Sequence, residues 1–204
     1  MGLVLTQNIL KRIFCKIFRR KYEIVSFPVC AFGTNNVRIR ALRDIPRHNV
    51  RKHDIGGSVE GYHNLSQFGD CWVGENGIVC DKARVSGNAI VRSRAKVHGD
   101  AKIKGQAIVY GRAEVFGHAK VKEAAEIYGQ AMVYEHALVK GRSYIHGDVK
   151  LYGNCTVSGE TVIRDKSKIC DLAMVHDSDI SGETIVRNDA HVVGRKICDI
   201  IIFS

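Results

Sequence analysis

From Gly69 to His176 the hydrophobic and polar positions repeat every six residues, eighteen times, without insertion or deletion. With Gly69 as position one, position five is aliphatic in every unit, from Val73, Val79 and Val85 through Ile127 to Ile163, Ile169 and Val175. Position three is mostly alanine, as at Ala83, Ala101, Ala119 and Ala137, and position one is glycine in eleven of the eighteen units. Apolar groups at spacings of two and four would scatter around a helix of 3.6 residues per turn, whereas in a strand residues three and five share one face. The pattern predicts short strands with three and five inward, four outward, and six, one and two turning a corner. Such units bury their apolar edges only against each other, so the fold class is all-β, a solenoid.

The outward positions give the circumference. Position six, read at every third unit, aligns Arg92, Tyr110, Tyr128, His146 and Arg164 in one column, His98, Phe116, Tyr134 and Tyr152 in a second, and Lys104, Lys122 and Lys140 in a third. Like stacks on like at a spacing of eighteen, which predicts a triangular coil of three units and about 18 residues. Six such coils make a prism on the order of 30 Å long. The register loses one residue at Asp177 to Ser181, so a coil is expected to tighten or end there. The tail "ICDIIIFS" reads as an apolar cover for the prism's end. The expected division is a basic amphipathic segment over 1–22, an entry and capping segment over 23–68, the solenoid over 69–199 and a C-terminal cap over 200–204.

The entry segment carries a Gly56–Gly57 turn, an Asn64–Leu65–Ser66 stretch and Gly69–Asp70–Cys71–Trp72 opening the repeats. Together with the hexads, these resemble the hexapeptide-repeat left-handed β-helix proteins, in particular the YdcK-like solenoids often labelled transferases. The resemblance spans roughly residues 38 to 199 and implies a single-stranded, left-handed coil; spacing alone does not give the hand. Glycine falls two residues after the aliphatic here, where the hexapeptide acyltransferases usually carry it one after. Those enzymes place a histidine base beside a loop thrown out of the coil or at a subunit boundary, and these eighteen hexads contain no such loop.

The first 22 residues have no acidic side chain, and Ile9, Leu10, Ile13, Phe14, Ile17 and Phe18 recur at helical spacing between Lys11, Arg12, Lys16, Arg19, Arg20 and Lys21. This predicts an N-terminal amphipathic helix suited to an anionic membrane surface. Gly2 with Thr6 fits the N-myristoylation pattern, and Cys15 is a candidate for palmitate as the second attachment signal. The alternative is a helix folded onto the solenoid without lipid. The expected location is the cytoplasm or the periphery of a membrane; a bacterial chain acylated at Gly2 would need a eukaryotic host enzyme and would read as a delivered effector.

A formal charge of +10 favours anionic partners. Seven cysteines without paired spacing point to a reducing compartment, and no apolar run is long enough to span a membrane as a helix. Position four separates three faces. The first, with Trp72, Ile90, Ile108, Glu126, Tyr144 and Val162, is an apolar stripe expected to pack against the N-terminal segment, to join copies as trimers or to take a protein partner. The second, with Ile78, Lys96, Glu114, Met132, Lys150 and Lys168, is mixed. The third, with Arg84, Lys102, Lys120, Leu138, Thr156 and Met174, is basic and lacks the interleaved aromatics of a nucleic-acid site.

His118 and His136 share a column and are the only weak metal candidates; a solvated polar ladder is the better reading. His98 and His146 extend the aromatic columns, and His176 with Asp177 reads as a corner hydrogen bond. No catalytic residue and no cofactor is expected. The favoured function is a non-catalytic interaction scaffold, with a coenzyme A-dependent acyltransferase as the alternative.

Overall fold

A computed structural model of the chain describes residues 20–31 and 34–204. From Trp72–Val73 onward, strands of two or three residues recur at six-residue intervals, as at Ile78–Val79, Arg84–Val85 and Ile90–Val91. As far as Thr156–Ser158, each pairs in parallel with the strand eighteen residues on, Trp72 with Ile90, Ile78 with Lys96 and Arg84 with Lys102. The strands therefore stack into three sheets. Face one has eight strands, from Trp72–Val73 to Lys196–Cys198. Face three has seven, from Arg84–Val85 to His191–Val193, and face two has eleven because the entry segment extends it. The architecture is an all-β solenoid of about 18 residues per coil.

The hexad explains each coil. Every position five from Val73 to Val175 and every position-three alanine is fully buried, so one branched aliphatic and one methyl per side fill the interior. The backbone is stitched along the axis, with the amides of positions two, four and six donating to the carbonyls of positions one, three and five in the next coil. Asn88 to Gly105 (2.7 Å), Ile90 to Ala107 (3.0 Å) and Arg92 to Val109 (3.0 Å) show one such set.

Position one is where the chain must turn, and every position one from Gly87 to Asp171 has positive φ. A Cβ on Gly141 would lie 2.6 Å from both N and O of Gly159, which accounts for the glycines. The exceptions are mainly acidic, and the reason is visible. Asp81 accepts the Gly99 amide (2.9 Å), Glu123 that of Gly141 (2.9 Å) and Glu135 that of Gly153 (2.8 Å). A carboxylate there meets the amide of the next coil and offsets the roughly 1–2 kcal/mol that a left-handed residue costs.

The N-terminal end is plugged. Strands β1 (Tyr22–Ala31) and β2 (Thr34–Ala41) form an antiparallel pair, β2 pairs with β3 (Ile55–Val59), and β3 joins face two beside Ile78–Val79. Tyr22, Ile39 and Leu65 close the core. Gly56 is required by close approach, since a Cβ would fall 2.6 Å from the Trp72 ring and from the Val73 carbonyl. Asn64, fully buried, accepts the amides of Glu60 and Gly61 and donates to the carbonyls of Asp81 and Ala83.

At the other end the coil tightens. Val162 pairs with Asp179 and Lys168 with Ile185, seventeen residues apart, and Ile185 with Ile201, sixteen apart. The expected cap is replaced by continued coil. Ile201–Ile202 adds a last strand to face two, which leaves Val193, Ile201 and Phe203 more than half exposed. The reason is that the lost corner residues shorten the turns without breaking the alternation of inward side chains.

Candidate interaction surfaces

Gly2, Lys11, Arg12, Cys15, Lys16 and Arg19 lie outside the described residues. Of the basic segment, Arg20 and Lys21 are described, and the expected helix does not extend through them, because Tyr22 already opens β1. Arg20 is exposed, with its guanidinium 5.6 Å from the centre of the Tyr62 ring.

Lys21 corrects the expectation of a membrane-facing side chain: it is 0% exposed. Its Nζ donates to the carbonyls of Cys71 (2.6 Å) and Gly69 (3.3 Å) and lies 3.1 Å from the Cys71 thiol. These carbonyls belong to positions three and one of the first coil, which elsewhere receive amides from the coil before. Where the ladder begins, Lys21 supplies the donor to Cys71 and shares Gly69 with Arg43, whose Nη2 donates to the same carbonyl at 3.2 Å. Burial pushes its ammonium below the ordinary lysine range, and the neighbouring Cys71 opposes the shift. Its backbone and that of Tyr22 are held by Gln67, and the Tyr22 hydroxyl donates to Leu65 O at 2.6 Å. Charge and spacing gave no sign of this role, since it depends on which carbonyls the first coil leaves without a lower neighbour.

The apolar stripe of face one divides. Trp72 and Ile90 are buried, and with His48, Val50 and Ile55 of the entry segment they line a groove of about 660 Å³ rimmed by Arg92 and Arg94. Those two residues are therefore covered within the chain. Ile108 and Val162 are half-buried, and Tyr144, 40% exposed, is the most open member of the stripe.

The columns at the corners are ladders of stacked rings. Tyr110, Tyr128 and His146 follow one another with centroids 4.8 Å apart, headed by Arg92 over Tyr110. His98, Phe116, Tyr134 and Tyr152 do the same at 4.9–5.2 Å. His98 also lies 2.9 Å from Glu114. His118 and His136 stack at 4.8 Å, with Asp100 3.6 Å from His118 Nδ1. Among the described residues, no three His, Cys, Asp or Glu side chains gather as a metal site.

His176 is engaged on both sides, by Ser158 Oγ at Nδ1 (3.0 Å) and by Asp177 at Nε2 (2.9 Å), on an open corner remote in sequence from the groove residues. From the sequence only the adjacent Asp177 stands out as its partner; Ser158, eighteen residues earlier and so one coil below, is the signal that the period itself supplies. The thiols of Cys71 and Cys155 sit inward, and burial pushes the Cys155 thiol up to about 12 and that of Cys80 up to about 11.

Face three keeps its basic half open. Arg84, Lys102, Lys104 and Lys120 are exposed and Lys122 and Lys140 half-exposed. Among the described residues no helix is long and apolar enough to cross a membrane. No protein-family model matches the chain, and no curated relative matches it.

Proposed function

We propose that the chain is a non-catalytic β-solenoid scaffold, attached peripherally to an anionic membrane, whose rigid faces present binding surfaces to a partner. The left hand of the coil and the YdcK-like kinship belong to this reading, supported by the Gly56–Gly57, Asn64–Ser66 and Gly69–Trp72 segments. So does lipid attachment at Gly2 and Cys15, with delivery into a host cell as the setting in which acylation would occur. The observation that carries the reading is the arrangement of outward chemistry in continuous axial columns, rings on rings and cations on cations, over an interior closed by buried alanine and aliphatic side chains. Such columns suit extended contact better than a single reacting centre. The test is co-sedimentation with phosphatidylserine-containing vesicles of the full chain and of a variant lacking residues 1–19, which keeps Lys21 and Tyr22 in the end plug. The variant is expected in the supernatant; equal sedimentation of both refutes attachment through this segment.

The second reading is a coenzyme A-dependent acyltransferase, favoured by His176 held between Ser158 and Asp177 in a base-like setting. Thioester consumption abolished by His176→Ala, and not by His98→Ala, His118→Ala, His136→Ala or His146→Ala, would establish it over the scaffold.

A further inference from the structure

We propose that face three, headed by Phe68, is the surface that lies against an anionic phospholipid bilayer; this rests on the membrane attachment proposed above and specifies the side of the prism that makes contact. Arg84, Lys102 and Lys120 occupy successive outward positions of its central column, each paired with the next across the sheet. Lys104, Lys122 and Lys140 run beside them along the corner. At about 4.8 Å per coil these six cations fill a patch about 15 Å long. Lys122 lies 4.0 Å from Glu123, and among the described residues the other five have no carboxylate within 4 Å.

No acid stands at position four anywhere on this face from Arg84 to Met174. Face two carries Glu114 there, and face one carries Glu126 and Asp179.

Two further observations select a bilayer. Leu65 bridges to Val85, so Phe68, 70% exposed, stands at the N-terminal end of the corner that carries the lysines. An exposed phenyl ring at the border of a basic patch suits the boundary between headgroups and acyl chains. Second, Tyr22 is tied to Leu65 and Arg20 lies over Tyr62, so Arg20, which the basic segment 1–19 precedes in sequence, stands beside residues 62–68, at the same end as Phe68. Nucleic acid fits less well: between Arg84 and Lys140 no aromatic ring interleaves with the cations of this face, and a flat sheet offers no groove to track a strand.

The test uses the full chain and vesicles of phosphatidylcholine with and without phosphatidylserine. The face variant is K102Q/K104Q/K120Q/K122Q. A control of equal net charge, R94Q/R112Q/K150Q/K168Q, removes four exposed cations elsewhere. Each lysine held near such a surface contributes roughly a fivefold factor in partition, so the face variant is expected to bind phosphatidylserine vesicles at least about 25-fold more weakly. The control is expected to stay within about threefold of wild type, and Phe68→Ser to weaken binding at constant charge. Thermal midpoints like that of wild type verify that the variants fold.

Equal loss in the face variant and the control reduces the effect to net charge and overturns the proposal. So does loss confined to K11Q/R12Q/K16Q/R19Q, which would leave membrane attachment standing without face three. Tighter binding to a short DNA duplex than to vesicles, lost in the face variant, reassigns the face to nucleic acid. A wild-type chain that binds no vesicles overturns both this proposal and the attachment on which it rests.

Discussion

Cys155 stands inward at position three, where the coils below and above carry Ala137 and Ala173, and it is fully buried. Burial pushes its thiol from an ordinary 9.0 up to about 12, and Cys170 nearby adds to the shift. A thiol whose folded value is raised stays protonated while the unfolded chain deprotonates, so its contribution to stability is intact below pH 9 and falls as pH rises above it. One pH unit above 9 removes about 1.4 kcal/mol. Cys155→Ala completes an alanine column already present on neighbouring coils and costs about 1 kcal/mol at pH 7 for the lost sulfur contacts. Urea midpoints followed by far-UV circular dichroism, in reductant at fixed ionic strength, should show wild type ahead by about 1 kcal/mol at pH 7 and level with or behind the variant at pH 10. The other raised groups, Cys80 among them, are common to both proteins and cancel in the comparison. A wild-type advantage as large at pH 10 as at pH 7 would refute the assignment of a buried, unperturbed-when-unfolded thiol.

Three further outcomes follow from the corners, the end plug and the core. Glu135→Ala keeps the left-handed φ of 56° but loses the bond to the Gly153 amide, so it should destabilise by about 1–2 kcal/mol, whereas Glu135→Gly relieves the strain and should remain within about 0.5 kcal/mol of wild type by chemical denaturation. Lys21→Met leaves the Cys71 carbonyl without its 2.6 Å donor and should cost about 1–3 kcal/mol, lowering the thermal midpoint and accelerating hydrogen exchange first in β1. Ala113→Leu forces a branched chain into a site filled by a methyl and should cost about 1–3 kcal/mol, read as a lowered urea midpoint at unchanged vesicle affinity.

The coil was legible because its physics is local and repeated. A solenoid interior eighteen residues around admits only aliphatic side chains at position five and mostly small ones at position three, so Val73 to Val175 alone reveal strand, face and period. The ring ladders were legible for the same reason, since the alignment of Tyr110 with Tyr128 is a consequence of the period. What escaped lies where the repeat stops. Lys21 resembles its basic neighbours in sequence, and only the carbonyls of Gly69 and Cys71, which have no lower coil to supply a backbone amide, turn it into a buried cap. Trp72 and Ile90 have the outward spacing of a partner surface, yet the entry segment reaches them because Gly56 lets its backbone approach. The tail Ile197–Ser204 has the composition of a cover, but its alternation still fits a tightened coil and wins.

The stacking that benefits rings is a liability for charges, and this separates binding from stability on face three. Arg84, Lys102 and Lys120 are consecutive Cα partners, so their side chains leave the sheet from points about 5 Å apart, and like charges held at that spacing repel. Even in water such a pair repels by roughly 0.8 kcal/mol, and Lys102 has one neighbour on each side. Face two holds the like pair Lys150 and Lys168 but places Glu114 against Lys96. Lys102→Gln should therefore raise the urea midpoint of the free protein at low salt, by roughly 0.5–1 kcal/mol after side-chain relaxation, and the gain should vanish in high salt as screening shortens to a few Å. The same substitution should lower affinity for phosphatidylserine vesicles. A variant less stable than wild type at low salt would mean that the lysine stems pack favourably on the sheet by more than their charges repel, and the cation column would then be explained by stability alone.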